Sequence, residues 1–382
     1  MNKKKILFTI GSLNMGGAEK VLVNYINYFK ANFSSEFEVE LFLISYEGAL
    51  LKELDKNINT SYLYKGNNFI NNLNPLSKAI YKLIRKILYL SFLKFPVLFN
   101  TFFSKYSKFD YNFIFVQDLY WFSKTNFGIK KYLWIQNNLN KVRDNHLFEN
   151  LDFTANIDHI VSISDGICDD LINRLCIHPS RIIKCYNPID SVQITKLSNE
   201  EVDTYFEVPY MISMGRLVDQ KGFDILLEAL SLLRRENIFI KLIIVGGGER
   251  YFDLLEQAKI LNLVEGVDFV ITGLLANPYP LIKNSKIFVC SSRFDGLSTS
   301  INEAMSLSVP IVSTPCDYGP KEIIGDNYYG LLSREISSKS LKVEIKRMLE
   351  DDDLLNKYSQ LSLIRSNDFD IMNVGKRLIN TL

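Results

Sequence analysis

Short apolar runs alternate with segments of helical period along most of the chain, and the alternation restarts once past its middle. The runs Lys5–Ile10, Glu38–Ile44, Ser61–Tyr64, Phe113–Val116, Tyr132–Ile135, Ile160–Ile163 and Ile182–Cys185 predict strands. After the first of them, Ala18, Val21, Leu22, Tyr25, Ile26 and Phe29 carry helical spacing. Asp165 is expected to cap another helix, running to Leu175. Asn187-Pro188 is followed by a polar stretch, Ser191 to Asp203, without strong periodicity. A second series then begins, with strands expected at Tyr210–Met214, Ile240–Val245, Phe269–Thr272, Ile287–Cys290 and Ile311–Ser313. Phe223, Leu226, Leu227, Leu230 and Leu233 mark a helix within it, and helical segments at Ser338–Glu350 and Asp353–Leu363 close it. Strands alternating with helices in this way form doubly wound α/β folds. The restart predicts two such domains, residues 1–190 and 191–364, with a tail, 365–382, expected to pack back on the first. In these folds ligands bind beyond the C-terminal ends of the strands, so two halves presenting those ends to a shared cleft suit a nucleotide-type ligand.

Composition narrows the function classes. A chain of 382 residues with 47% apolar content supports two cores, and a net charge of only +1 carries no general argument for nucleic acid. The five cysteines, Cys168, Cys176, Cys185, Cys290 and Cys316, are scattered without a C-x-x-C pair, which predicts a reducing compartment rather than a disulfide scaffold. The opening Met1 to Gly11 is too short in apolar length for a signal peptide and reads as a first strand. No apolar stretch reaches the ~20 residues that span a bilayer. His146, His159 and His178 are isolated, and Asp351-Asp352-Asp353 lies between helices without other ligand types, so it reads as a solvated cap and no metal is expected.

Asp295 and Glu303 stand in the stretch Ser291 to Met305, behind the strand-like Lys286 to Cys290. The first acid falls in a loop at a strand's C-terminal end and the second in the opening turns of a helix. The loop between them directs backbone N–H groups at the same space, which suits a phosphate. Either acid could instead complement the helix dipole, a reading that accounts less well for two acids with Gly296 between them. In Gly215-Arg216-Leu217-Val218-Asp219-Gln220-Lys221-Gly222, two cations five residues apart follow a strand and precede a helix. Arg supplies a planar fork and Lys a mobile point charge, a pair fit for adjacent phosphates, although a solvated loop would also carry such charges. Gly11 to Gly17, with Gly16 and Gly17 at its end, lets backbone approach a ligand or simply turns the chain; it is not G-x-G-x-x-G. Gly246-Gly247-Gly248 is similar, but a tight turn needs such glycines anyway.

From Lys56 to Phe109 there are eight Lys, one Arg and no acid. Within this stretch Lys78, Lys82, Arg85 and Lys86 fall on one face of a helical pattern and Ile80, Leu83, Ile84 and Ile87 on the other, followed by Phe92, Phe95, Phe99, Phe102 and Phe103 with Pro96 as a breaker. The segment 78–105 reads as a basic, aromatic element for an anionic membrane surface; the plainer reading is a helix packing its apolar face on its own domain.

Together these motifs resemble the retaining glycosyltransferases of family 4, whose GT-B fold joins two Rossmann-like domains. The resemblance covers nearly the whole chain and rests on Gly11-Ser12-Leu13 with Gly16-Gly17-Ala18-Glu19, Val161-Ser162-Ile163-Ser164, Tyr186-Asn187-Pro188-Ile189-Asp190, Gly215-Arg216-Leu217 with Lys221-Gly222, and the Asp295-to-Glu303 spacing. It implies that Arg216 and Lys221 hold the donor diphosphate in place of a metal, that Glu303 accepts from ribose hydroxyls, and that Asp295 holds the donor sugar. Gly16, Gly17, Gly215, Gly248, Gly273, Gly296, Leu297, Ser298 and Thr299 would line the donor, and Asn137 and Asn138 the acceptor side. The family's first glutamate is Asp295 in this chain, one methylene shorter, and Gln136-Asn137-Asn138 stands where relatives often place a histidine. The resemblance implies a cytoplasmic enzyme at the inner face of the plasma membrane. It would move a sugar from a UDP-linked donor to a lipid-linked or polysaccharide acceptor of capsule or O-antigen type, without a cofactor. A non-catalytic nucleotide-sugar or glycan-binding relative and a GT-B-like sugar-nucleotide epimerase are the alternatives.

Overall fold

The structure of the protein is a computed structural model, which describes residues 3–95, 97, 99–136, 154–201, 205, 206 and 209–382. Contacts divide the chain into two compact units. One comprises the described residues of Met1–Ile163, Ile167–Pro188 and Val374–Leu382, the other those of Ser164–Gly166 and Ile189–Asn373.

The first unit contains a seven-stranded parallel sheet: β1 (Lys4–Ile10), β2 (Phe37–Tyr46), β3 (Asn59–Lys65), β4 (Tyr111–Ile114), β5 (Lys130–Ile135), β6 (His159–Ser162) and β7 (Ile182–Lys184), in the order β3-β2-β1-β4-β5-β6-β7. The second contains six parallel strands: β8 (Tyr210–Met214), β9 (Lys241–Val245), β10 (Phe269–Ile271), β11 (Ile287–Cys290), β12 (Ile311–Ser313) and β13 (Leu331–Leu332), in the order β10-β9-β8-β11-β12-β13. Both are doubly wound α/β sheets, and each reverses direction once, between β1 and β4 and between β8 and β11. That reversal parts the connections at the strands' C-terminal ends and opens a crevice there.

Parallel strands covered by helices on both faces must be apolar on both, which explains the unbroken runs in the sequence. Ile6, Leu7, Phe8 and Ile10 of β1 are all buried. The first core is aromatic: Phe8 meets Phe113 edge-on at 5.0 Å between ring centroids, and Phe115 stacks on Trp134 at 4.9 Å. The second is mainly aliphatic, with Leu226, Leu227, Leu230 and Leu233 of the helix Phe223–Arg235 packed against Leu242 and Ile244 of β9.

Four local features differ from or refine the sequence reading. The polar stretch after Pro188 contains a helix, Ser191–Leu197, set by the Asp190 side chain accepting from Gln193 N and by a single buried residue, Ile194. The edge strand β13 has two residues, too few for any periodicity. Asp165 begins the helix Asp165–Asn173 rather than capping it, and its own N–H donates to Glu322 Oε2 at 2.7 Å. Asp351 caps the helix Asp352–Ser366 by accepting from Leu354 N at 2.9 Å.

Candidate functional site in the second unit

The reversal point between β8 and β11 gathers the charged residues of the two informative motifs. β8 ends at Met214, and the loop after it closes in a 3-10 turn, Asp219–Lys221, before the helix Phe223–Arg235. Gly222 joins turn to helix with φ +61°, and a Cβ there would lie 2.1 Å from the carbonyl oxygen of Ser291. Only glycine fits that left-handed, close-packed position, which brings the end of the first loop against the start of the second. As a result Lys221 Nζ lies 2.6 Å from Asp295 Oδ2. Both side chains are largely buried, at 17% and 10% exposure. Burial pulls the Lys221 ammonium down, but the Asp295 carboxylate outweighs it and holds the pKa above its ordinary value. Asp295 Oδ1 is also taken, by Gly296 N at 3.0 Å.

The chain then enters the helix Thr299–Ser306 through Ser298, whose side chain does not cap it. First-turn N–H groups of a helix lack intrahelical acceptors, so this end offers donors and a positive dipole end in the same loop system as Lys221. Ser298 and Ser300 hydroxyls lie 3.1 Å apart and line, with Lys221, Cys290 and Ser292, a small cavity of about 10 Å³. Glu303 is buried on this helix and accepts from the Tyr279 hydroxyl at 3.3 Å. Tyr279 was not legible as a partner, since it stands 24 residues away on a separate short helix, Tyr279–Lys283.

A second set of contacts holds the two loops in register. Arg293 Nη1 donates to Asp224 Oδ1 and Nη2 pairs with Oδ2, a bidentate clamp; Arg293 N donates to Gln220 O at 2.8 Å and Gln220 Nε2 to Phe294 O at 3.1 Å. Burial raises the Asp224 carboxyl, but Arg293 more than offsets this and leaves it below its ordinary value. A carboxyl depressed in the folded state contributes stability above its unfolded pKa, about 3.9, and that contribution disappears as pH falls through the lowered value. Asp224→Asn is therefore expected to lower Tm at pH 7 and to leave a smaller drop between pH 5 and 3, measured by thermal unfolding across that range.

The remaining predicted donor residues are more dispersed. Arg216 is exposed on the loop after β8 and makes no ion pair among the described residues. Gly248 has a packing reason of its own: a Cβ would lie 2.5 Å from Leu217 O. Gly273, at φ +74°, faces open space, while Gly215 would meet only the Lys221 side chain at ordinary contact distance. Leu297 is buried, as is Ser298, and Thr299 is half-buried. Gly16 and Gly17 open the helix Gly17–Asn32 of the first unit after β1. Asn137 and Asn138 lie outside the described residues. Among the described residues no group of three or more His, Cys, Asp or Glu is placed to hold a metal.

In the first unit the basic segment forms the helix Pro75–Lys94, capped by Asn74 through Ser77 N. Its apolar face does not pack on its own domain: Leu76, Ile80, Leu83, Ile84, Ile87 and Leu90 are between 42% and 72% exposed. The four basic residues expected together at a membrane surface are divided instead. Lys78 Nζ donates to Asn71 Oδ1 at 3.3 Å and Arg85 Nη1 to Asn67 Oδ1 at 3.0 Å, whereas Lys82 and Lys86 are exposed. The reason is local, since Asn67–Asn71 forms its own turn of helix beside this one and offers amide oxygens to the side that carries Lys78 and Arg85. No helix among the described residues is long and apolar enough to cross a membrane.

Residues 198–362 match the family model Glycosyl transferases group 1. The chain is 29% identical over 250 residues, 65% of its length, to the N-acetylgalactosamine-N,N'-diacetylbacillosaminyl-diphospho-undecaprenol 4-alpha-N-acetylgalactosaminyltransferase of Campylobacter jejuni. It is 32% identical over 231 residues, 52% of its length, to an uncharacterized glycosyltransferase of Methanocaldococcus jannaschii. It spans 66% and 56% of the lengths of these two relatives. The crystal structure of Anabaena HepE in complex with UDP and glucose superposes with a TM-score of 0.73 at 16% identity, covering 99% of both chains, so the likeness is one of fold. The chain thus has the GT-B fold of two parallel-sheet α/β domains, and its residues 198–362 carry the match to the glycosyl transferases group 1.

Proposed function

We propose that the protein is a glycosyltransferase of bacterial-type surface-glycan assembly. It moves a sugar from a nucleoside-diphosphate donor, UDP-linked, to a lipid-linked acceptor at a membrane surface. The observation that carries this reading is the Lys221–Asp295 pair, set at the β8/β11 reversal beside an uncapped helix N-terminus with Glu303 behind it. The Campylobacter relative's diphospho-undecaprenol acceptor and the UDP in the Anabaena structure support the choice of acceptor and donor class.

The roles follow from the chemistry of the groups. An ammonium has three donors, so Lys221 keeps N–H groups for a diphosphate while one is held by Asp295. Arg216, exposed on the same loop, supplies a second cation. As the bond between the sugar's C1 and the phosphate oxygen breaks, negative charge grows on the diphosphate. Lys221, Arg216 and the N–H groups of residues 298–300 stabilise it without a metal. The acceptor hydroxyl attacks C1 from the same face, and its proton passes to the leaving phosphate oxygen, so configuration is retained and no protein base is needed. Glu303 accepts from the ribose hydroxyls, oriented by Tyr279. Asp295 accepts from a sugar hydroxyl through the carboxylate that Lys221 and Gly296 N already position, and its shorter side chain biases donor choice.

UDP at a hundred times its Kd would add ~2.7 kcal/mol of stability. For a unit of this size that is a Tm rise of roughly 5–10 °C. The expected result in a thermal-shift screen is a rise with UDP and little with uridine, because the diphosphate carries the binding. No shift with any nucleoside diphosphate would remove the donor assignment.

A further inference from the structure

A cavity of about 340 Å³ lies in the first unit between the C-terminal half of β3 and the helix Pro75–Lys94. That is within the ~300–1,000 Å³ range of small-molecule sites. Its walls are apolar and aromatic, from Tyr62, Tyr64, Phe69, Tyr81 and Leu88, and two cations line it, Lys65 and Arg85. The Arg85 guanidinium sits 5.0 Å from the Tyr64 ring centroid and the Lys65 ammonium 4.8 Å from that of Phe69. Neither cation makes an ion pair among the described residues. Glu47, which also contacts Asn67, is engaged by the Ser45 hydroxyl and by Asn67 N. Tyr81 anchors the helix to the strand, its hydroxyl accepting from Lys65 N at 2.9 Å, which ties together the two elements that carry the cations.

The cavity is continuous with the exposed apolar stripe, because Ile84 belongs to both. Two uncompensated cations beside aromatic walls, opening onto a strip of exposed Leu and Ile, complement a phosphate ester that is attached to hydrocarbon. We propose that this cavity binds the phosphate headgroup of an anionic membrane lipid, with Lys65 and Arg85 on the phosphate and the aromatic rings around the glycerol and first methylenes. The site rests on the membrane-surface reading of the helix and adds to it a specific headgroup, held beside the apolar stripe that Ile84 shares with the cavity.

Dihexanoyl phosphatidic acid, used below its micelle concentration, tests the cavity without a membrane. Calorimetric titration of the full-length protein is expected to show saturable binding, weakened at least tenfold in Arg85→Gln and at least threefold in Lys65→Gln, a change at an exposed side chain that leaves the fold intact. Dihexanoyl phosphatidylcholine and inorganic phosphate should bind at least tenfold more weakly than the phosphatidic acid. A triple Ser variant of Ile80, Leu83 and Ile87 should keep this binding while losing vesicles, which separates the cavity from the stripe. Absence of binding, equal binding by parent and Lys65→Gln, or inorganic phosphate binding as tightly as the lipid would each overturn the proposal, whatever the vesicle result.

Discussion

Lys221→Met is expected to lower the rate of sugar transfer about 10²–10³-fold, the range seen when one preorganised donor to a developing anion is removed. The same change should destabilise the second unit by about 3 kcal/mol, because it leaves Asp295 largely buried without its cation. The two effects separate in the double variant Lys221→Met with Asp295→Asn. Removing both charges together should restore most of the stability, seen in urea unfolding, while leaving transfer as slow as in the single variant. A Lys221→Met protein that transfers at the parental rate would show that the ammonium has only a structural role opposite Asp295.

Changing Ile80, Leu83 and Ile87 to Ser is expected to weaken partition onto lipid vesicles about 100-fold. These side chains are 51%, 59% and 54% exposed, so removing them should cost the folded protein little. At a membrane interface they would gain at about 25 cal/mol per Å² buried; allowing for incomplete insertion, about 1 kcal/mol each gives ~3 kcal/mol, or two decades in the partition coefficient. Lys82→Ser with Lys86→Ser should act differently. Each exposed lysine contributes ~1 kcal/mol near an anionic surface, so binding to anionic vesicles should fall ~30-fold, while binding to neutral vesicles stays the same, and the loss should shrink with added salt. Co-sedimentation with neutral and with anionic vesicles reads both arms. A triple Ser variant that partitions like the parent would mean that another surface meets the membrane, or that none does.

Much of the fold was legible because its strands are buried on both faces. Runs such as Ile6 to Ile10 have no alternation to confuse with a helix, and the helix Phe223–Arg235 shows its buried Leu side chains at clean spacing. What escaped was held by single contacts rather than by period: the helix Ser191–Leu197, specified by the Asp190 cap, and the two residues of β13. Within the candidate site, the sequence singles out Lys221, Asp295 and Glu303 as residue types but carries no geometry for them. Lys221 and Asp295 are 74 positions apart, and only the β8/β11 adjacency, with Gly222 against Ser291, makes them an ion pair. Spacing likewise gave no signal for Tyr279 on Glu303 or for Arg293 clamping Asp224. In the helix Pro75–Lys94 periodicity separated apolar from basic residues, but it did not reveal that Lys78 and Arg85 would turn toward Asn71 and Asn67 and leave the apolar stripe outward.

Sugar transfer from a nucleotide donor to a lipid-linked acceptor can be read by incubating the full-length protein with UDP-sugars and a polyprenyl-diphosphate sugar and weighing the lipid by mass spectrometry. The expected products are a lipid heavier by one sugar residue, an equal amount of free UDP, and a new glycosidic bond with the donor's anomeric configuration. An unchanged lipid with an intact donor, or with the donor converted to an isomeric UDP-sugar, would contradict that transfer.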